Sequence, residues 1–331
     1  MTVGQGAVIF GCAGPRLLPE ERAFFRDADP FGFIVFARNI EDPDQVRRLT
    51  ADLRDAVGRN APVLVDQEGG RVQRLRGPHW REWTPPLDTV DGVASIEAAE
   101  RVMRLRSAVM GAELADVGID ADCIPTLDVV RPGTHPFLMN RCYGRDPGVV
   151  ARIGRAVADG LIAGGVLPVM KHMPGHGLSK VDTHHDLPTV TASHEELTAV
   201  DFAPFKALND LPMAMTAHLV FAAFDDARPA TQSPAMIRVI REEIGFNGLL
   251  MSDDLNMQAL AGTLADRTAR TIAAGVDIAL HCKGDMAEMV EVAAAAGRMG
   301  PQTLARAEAA IAARRPVTVD LAAALAELAH G

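Results

Sequence analysis

The stretch KHMPGHGLSKVDTHHDLP, residues 171–188, concentrates side chains that gain or lose protons near neutral pH. It contains four histidines and two aspartates among two glycines and two prolines. Because glycine and proline interrupt helices and strands, the stretch is predicted to be mostly loop. Three interpretations compete for it: a metal site, a catalytic acid/base device, and a polar loop that happens to be rich in histidine.

The metal interpretation has the least support in the sequence. His172 and His176 have the i, i+4 spacing that holds a metal ion on a helix, but Pro174-Gly175 lies between them. No cysteine or glutamate completes a ligand set within the stretch. We therefore expect no metal and no cofactor. We interpret His176 as structural, bonded to loop carbonyls, and His185 as solvated.

The pair Asp182 and His184 favours the acid/base interpretation. In an extended segment, residues two apart point to the same side, so the carboxylate can reach the imidazole. The carboxylate then orients the ring and raises its pKa, which is what a general acid/base requires.

The elements that must position this loop are predicted from eight short apolar runs alternating with amphipathic stretches such as 42–58. Runs of this kind are typical of buried parallel strands, and eight of them predict a (β/α)₈ barrel of the TIM type. We expect one domain over residues 1–331, with the barrel at about 7–300 and closing helices at 301–330. An open doubly wound sheet is the alternative, but GCAGPR at 11–16 is a poor phosphate loop. The eight runs are 7–13, 31–37, 61–66, 122–128, 167–171, 213–218, 248–253 and 277–282.

Polar side chains follow six of these eight runs, where a barrel of this kind carries its chemistry. Any one of them is compatible with an ordinary turn or capping residue. Together they predict one polar mouth at the C-terminal ends of the strands. The residues, in chain order, are Asp66-Gln67-Glu68-Gly69-Gly70-Arg71 with Arg74, Asp128, Lys171-His172, His218, Ser252-Asp253-Asp254, and His281.

Composition excludes several classes of protein. A formal net charge of -10 disfavours a general nucleic-acid binder, whose affinity depends on a basic surface. The four cysteines are far apart, which argues against a disulfide framework or a zinc knuckle. The N-terminus has no signal-peptide pattern, and no apolar run approaches the roughly 20 residues that span a bilayer. We expect a cytoplasmic protein with no membrane or nucleic-acid partner, and a monomer as the default state.

Seven motifs, in this order along the chain, carry a family resemblance. The chain resembles the bacterial β-N-acetylglucosaminidases of glycoside hydrolase family 3, of the single-domain type used in peptidoglycan recycling. The resemblance covers about residues 30–285, with Met173 and Arg145 as departures from the family pattern. The motifs are DQEGGRVQRL (66–75), PTLDV (125–129), NRCYGRDP (140–147), KHMPGHG…VDTHHDLP (171–188), MTAHLVF (215–221), PATQSP (229–234) and MSDDLNM (251–257).

The resemblance implies a role for each matching position. It makes Asp253 rather than Asp254 the nucleophile, His184 the general acid/base and Asp182 its orienting partner. Glu68 is the fallback acid, although Gly69-Gly70 argues for a tight turn at that point. The residues implied to grip the terminal sugar are Asp66, Arg74, Arg141, Lys171 and His172. The three cations among them have a purely structural alternative, as ion-pair partners of Asp66 and Asp128.

The implied activity is removal of a terminal, non-reducing β-1,4-linked GlcNAc, with retention, through a covalent glycosyl-enzyme. The implied substrates are GlcNAc–MurNAc or GlcNAc–anhydroMurNAc peptides. Three alternatives stay open: a phosphorylase that uses phosphate as acceptor, a catalytically inactive sugar-binding barrel, and a metal-dependent hydrolase. Trp80 and Trp83 are candidates for a sugar subsite, but we favour core packing or a loop anchor for both.

Overall fold

A computed structural model describes residues 2–179 and 187–330 of the chain. Eight parallel strands close into a barrel, as the alternating pattern predicts, and each of the eight apolar runs contributes one strand. The neighbouring strands around the barrel are β1-β11-β10-β7-β5-β4-β3-β2. Their bounds are β1 Gly6–Gly11, β2 Pro30–Val35, β3 Val63–Val65, β4 Ala121–Asp122, β5 Leu167–Met173, β7 Met213–Thr216, β10 Leu249–Asp254 and β11 Ile278–His281.

Helices surround the barrel and cover the outward faces of its strands. The predicted amphipathic segment is a helix that begins where Asp42 accepts a hydrogen bond from the Gln45 N–H and ends at the left-handed Gly58. The helices are α1 Pro19–Ala28, α2 Pro43–Val57, α3 Pro86–Asp91, α4 Ile96–Asp116, α5 Pro136–Met139, α6 Pro147–Ala163, α7 His194–Ala199, α8 Ala203–Ala207, α9 Pro234–Arg238, α10 Leu264–Ala274, α11 Met286–Ala296, α12 Pro301–Ala312 and α13 Leu321–His330.

A small second sheet, which the sequence pattern does not predict, accompanies the barrel. Its strands are β6 (Thr189–Val190), β8 (Val220–Phe221) and β9 (Asp225–Pro229), in the order β6-β8-β9. The first of them comes directly after the histidine-rich stretch, and the second follows barrel strand β7. The sheet therefore ties the C-terminal side of that stretch to the mouth of the barrel.

The barrel strands are buried on both faces, because side chains fill the interior and helices cover the outside. The strands β1, β2 and β3 consist entirely of buried residues. Burial of this kind explains why the strands appear in the sequence as continuous apolar runs rather than as alternating patterns. None of the helices in the described part of the chain has the length and apolar character that a membrane crossing requires.

Candidate active site

A cavity of about 260 Å³ opens at the C-terminal mouth of the barrel. Its volume is just below the roughly 300–1,000 Å³ typical of drug-sized ligands, so it suits one small ring system such as a monosaccharide. Every described residue that was predicted to act on the sugar contributes to its wall. These residues are Asp66, Arg74, Arg141, Lys171, His172 and Asp253.

A buried ion network forms one side of the cavity. The Lys171 ammonium, at the end of β5, lies 2.9 Å from an Asp66 carboxylate oxygen and 2.6 Å from Glu68 Oε1. Glu68 in turn accepts two hydrogen bonds from the Arg141 guanidinium, at 2.7 and 2.8 Å. The second oxygen of Asp66 accepts from Arg74 at 3.0 Å. Strands β3 and β5 and the loop before α6 are thus joined by charge-assisted hydrogen bonds.

The electrostatics of this network fix its protonation states. Burial alone would raise the pKa of Glu68, but Arg141 and Lys171 outweigh it and bring the pKa to about 2. Lys171 and Arg74 likewise hold the pKa of Asp66 far below its ordinary value despite its burial. Glu68 is therefore ionised at neutral pH and has no proton to donate. That result counts against Glu68 as the fallback acid and makes it the carboxylate that bridges two cations.

In the turn after β3, the side chain of the buried Arg106 lies directly against the backbone. Arg106, on α4, donates from Nη2 to the Glu68 carbonyl at 2.7 Å. Gly69 has φ 95°, and a Cβ built there would lie 1.9 Å from the same Nη2 atom. Only glycine combines that backbone angle with that close approach. The expected tight turn at Gly69-Gly70 is confirmed, and its role is to support Glu68.

A second carboxylate orients the histidines of the cavity wall. Asp128 is fully buried after β4, and its Oδ2 lies 2.7 Å from Nδ1 of His172. Since His172 lowers the pKa of this buried carboxyl, Asp128 is ionised and only accepts, so Nδ1 of His172 carries the proton. Asp128 Oδ1 also accepts from the backbone N–H of His176 at 2.7 Å. Asp128 was expected among the partners of the cations, but the carboxylate paired with Arg141 is Glu68.

His176 was interpreted from the sequence as a structural loop residue, and the structure places its ring in the cavity wall. Its ring lies against His172, with centroids 5.4 Å apart, and it lines the cavity. Burial and His172 together lower its pKa to about 4, so the ring is neutral at pH 7. Within residues 2–179 and 187–330, no group of three or more histidine, cysteine, aspartate or glutamate side chains is arranged to hold a metal ion.

The two adjacent aspartates at the end of β10 differ in environment. Burial would raise the pKa of Asp253, but the nearby His218, His172 and the Asp254 N–H outweigh it and keep the pKa below its ordinary value. Asp254 has a pKa raised to about 6 by burial, although its Oδ1 accepts from two backbone N–H groups. Asp253 is therefore the carboxylate that is fully ionised at neutral pH.

Several predicted candidates lie outside the cavity wall. His281 is the last residue of β11, and its ring packs against Phe10, because strand alternation turns Leu280 rather than His281 toward the cavity. Trp80 and Trp83 belong to the core or pack against it, as favoured from the sequence. The two departures from the family pattern also avoid the cavity: Met173 is a buried core residue, and Arg145 forms a surface ion pair with Asp91.

The proposed acid/base pair, Asp182 and His184, lies outside the described residues, as does His185. The residues on either side of this gap are described: Ser179 is buried, and β6 begins at Thr189. The assignment of these two residues remains a prediction from the sequence.

The cavity also contains residues that the sequence did not identify. These are Phe36, which follows β2, and Phe137, which lies on α5. Arg71, which was named from the sequence as part of the polar mouth, stacks over the Phe137 ring at 3.9 Å. The sequence could have indicated Phe36 as a cavity residue, because it directly follows a strand at the C-terminal end of the barrel. No signal in the sequence distinguishes Phe137 from a core residue.

Comparisons with known proteins agree with the fold. A family model described as the glycosyl hydrolase family 3 N-terminal domain matches residues 18–317. The chain is 38% identical over 282 residues to a beta-hexosaminidase of Methylococcus capsulatus, covering 83% of this chain and 82% of that one. It is 34% identical over 291 residues to a beta-hexosaminidase of Bordetella avium, covering 86% and 82%.

Solved structures of related proteins also have the same fold as this chain. A crystal structure of NagZ from Neisseria gonorrhoeae in complex with N-trifluoroacetyl-D-glucosamine has a TM-score of 0.86 at 30% identity, covering 99% of this chain and 98% of that one. A family 3 β-N-acetylglucosaminidase from Paenibacillus has a TM-score of 0.81 at 29% identity. The match covers 93% of this chain but only 60% of that longer one.

The geometry predicts that Glu68→Gln destabilises the fold. An amide would place an uncharged group between two buried cations, and removing one partner of a buried ion pair costs about 3–5 kcal/mol. The pKa of Glu68 in the folded state, about 2, lies below its ordinary 4.5. Its contribution is therefore complete above the ordinary value and is lost as the pH falls toward 2. Urea unfolding at pH 7 and at pH 3 measures both effects.

The matched control is Glu100→Gln, which removes one side of a partly exposed ion pair with Arg152. Its free energy of unfolding should stay near that of the wild type, because solvent screens such pairs. A Glu68→Gln variant as stable as this control would contradict the bridging role of Glu68.

Proposed function

The chain belongs to glycosyl hydrolase family 3, and we propose that this glycosidase is a retaining exo-β-N-acetylglucosaminidase acting on cell-wall fragments. The proposed reaction removes a terminal, non-reducing GlcNAc from a GlcNAc–MurNAc or GlcNAc–anhydroMurNAc peptide. The observation that carries the proposal is the single cavity in which the ionised Asp253 lies beside the Lys171 network. A cavity of about 260 Å³ suits one terminal sugar, which favours exo action.

Asp253 is the proposed nucleophile. Its Oδ1 accepts a hydrogen bond from the Asp254 N–H at 2.8 Å, and within the described part of the chain Oδ2 accepts none. In the proposed first step, Oδ2 attacks the anomeric carbon and the glycosidic C–O bond breaks, giving a covalent glycosyl-enzyme. The pKa of Asp253 below its ordinary value supports this role, because a nucleophilic carboxylate must be ionised.

The proposed acid/base is His184, oriented by Asp182. In the first step it gives a proton to the departing sugar oxygen, and in the second it takes a proton from water as that water attacks the anomeric carbon. An unperturbed imidazole pKa of about 6.5 suits a group that must both give and take a proton. The support for these two residues is the family resemblance of the stretch 171–188.

We propose that the residues of the ion network bind the sugar. Arg74, Arg141 and Lys171 present donors suited to hydroxyl groups and to an N-acetyl carbonyl, while Asp66 accepts from hydroxyls. Held in place by Glu68 and by one another, these groups need little reorganisation when the sugar binds. The N-acylated glucosamine in the related Neisseria gonorrhoeae structure supports a hexosamine ligand. His172, oriented by the contact between its Nδ1 and Asp128, contributes its ring to the cavity wall beside Arg141.

Hydrolysis of p-nitrophenyl β-GlcNAc, compared with the β-glucoside, tests the activity and its preference for the acetamido group. The wild type should release p-nitrophenol from the GlcNAc substrate, and Asp253→Asn should lose at least about 10³-fold in kcat, since an amide cannot form the glycosyl ester. Analysis of products in phosphate buffer separates free GlcNAc from GlcNAc 1-phosphate. The sugar phosphate as main product would replace the hydrolase by the phosphorylase.

A separate measurement tests the acid/base. His184→Ala should lose about 10²–10⁴-fold in kcat/KM on a GlcNAc–MurNAc disaccharide, whose leaving group needs a proton. On p-nitrophenyl β-GlcNAc the loss in the first step should be much smaller, because p-nitrophenolate leaves without one. Full activity of the variant on the disaccharide would assign proton transfer to another residue.

A further inference from the structure

Two of the family-like motifs, MTAHLVF and PATQSP, contribute polar residues that do not line the cavity, and of these only His218 has appeared so far, through its effect on the pKa of Asp253. Their polar members His218 and Thr231 are nearly or fully buried, as is Thr216 at the end of β7. His218 Nδ1 lies 2.7 Å from the Thr231 hydroxyl, and that hydroxyl lies 2.8 Å from the hydroxyl of Thr216. The three side chains form a polar cluster behind the cavity wall, where apolar residues would be expected.

The hydrogen bonds of His218 determine which ring nitrogen carries its proton. Nε2 lies 3.1 Å from the backbone carbonyl of Asp254, and a carbonyl oxygen only accepts, so Nε2 carries a hydrogen. Burial lowers the pKa of His218, so the ring is neutral at pH 7 and Nδ1 is an acceptor. The single hydroxyl hydrogen of Thr231 has two acceptors within reach, His218 Nδ1 at 2.7 Å and the Ala217 carbonyl at 3.0 Å. Because Nδ1 of the neutral ring has no hydrogen of its own, the short contact to Nδ1 requires the Thr231 hydroxyl to donate to it. Thr231 fixes both the tautomer and the orientation of the ring.

The carbonyl that His218 holds belongs to the residue beside the nucleophile. The N–H of Asp254 is donated to Asp253 Oδ1 at 2.8 Å, and Asp254 Oδ1 accepts from the N–H groups of Asn256 and Cys282, both at 3.2 Å. Asp254 is therefore held from β11 through its side chain and from the β7 side through its carbonyl. Its own N–H in turn fixes the rotamer of Asp253.

We propose that His218 is a positioning residue for the nucleophile, acting through the Asp254 backbone and itself oriented by Thr231. The bond from His218 to the Asp254 carbonyl sets the orientation of that residue's backbone, and the Asp254 N–H then directs Oδ2 of Asp253 toward the anomeric carbon. Errors of about 1 Å in such an alignment can cost about 10²-fold in rate. This inference rests on the proposed function, since it assumes Asp253 as the nucleophile.

A pair of amide substitutions separates the two hydrogen bonds of the ring. The amide nitrogen of His218→Gln reaches the place of Nε2 and restores the donor to the Asp254 carbonyl. The shorter His218→Asn reaches only the place of Nδ1, next to Thr231. We expect His218→Asn to lose about 10–10²-fold in kcat and kcat/KM on p-nitrophenyl β-GlcNAc, with the Ki of free GlcNAc within about twofold of wild type. His218→Gln should recover most of that loss.

The hydroxyl of Thr231 supplies a second, independent test. Thr231→Val has nearly the same shape but cannot donate to Nδ1, and we expect a fall of about tenfold in kcat with unchanged Ki for GlcNAc. Thr231→Ser keeps the hydroxyl and should restore the rate. Thermal unfolding of all four variants measures their stability, and active-site titration gives the rate per folded molecule.

The outcomes separate this inference from the proposed function. If the wild type does not release p-nitrophenol, or Asp253→Asn remains active, the proposed function fails. If Asp253→Asn is inactive while His218→Asn and Thr231→Val keep the wild-type rate per folded molecule, the positioning role is wrong and the cluster serves stability alone. Equal losses in His218→Asn and His218→Gln would also overturn it, because the restored donor would then have no effect.

Discussion

The Lys171 ammonium is 2% exposed and lies between the carboxylates of Asp66 and Glu68. A buried charge is tolerated only when it is paired and its hydrogen bonds are made, so this ammonium constrains everything around it. The turn after β3 must present both carboxylates, Gly69 must leave room for Arg106, and Arg141 must reach Glu68 from the loop before α6. The network brings together segments that are about 70–100 residues apart in sequence, because each buried charge needs a partner of opposite sign.

The same charges set the chemical state of the cavity. Three cations, Arg74, Arg141 and Lys171, face two carboxylates, Asp66 and Glu68, which leaves one positive charge near Asp253. Against the effect of burial, His218, His172 and the Asp254 N–H do most to keep the pKa of Asp253 low, and Lys171 adds a smaller contribution from the network. The field therefore differentiates two neighbouring aspartates of identical chemistry, with a low pKa for Asp253 and a pKa raised to about 6 for Asp254. Differences of this kind are how sites assign separate roles to like groups.

Much of the architecture was predictable because local rules produce it. Strands buried on both faces must be apolar throughout, so seven of the eight runs located a strand to within a few residues, while β4 (Ala121–Asp122) overlaps the run 122–128 only at Asp122. The capping of α2 by Asp42 and Gly58 follows from the same kind of local rule. Strands β6 and β8 were not predicted because two residues are too few to carry a periodic signal, and β9 was not predicted because its sequence DDARP is polar and largely exposed.

The sequence by itself determined the barrel, the end of the barrel that carries polar groups, and seven of the residues that line its cavity, while Arg141 was implied by the family resemblance. The seven are Asp66, Arg71, Arg74, Lys171, His172, Asp253 and Asp254. It could do so because strand periodicity and residue type are local properties. Only the tertiary structure decided what each polar group does. Glu68 bridges two cations instead of donating a proton, His176 faces the cavity, and His281 turns away from it. These outcomes depend on which charges and cavities lie within a few ångströms in space, a relation between distant segments that no local pattern encodes.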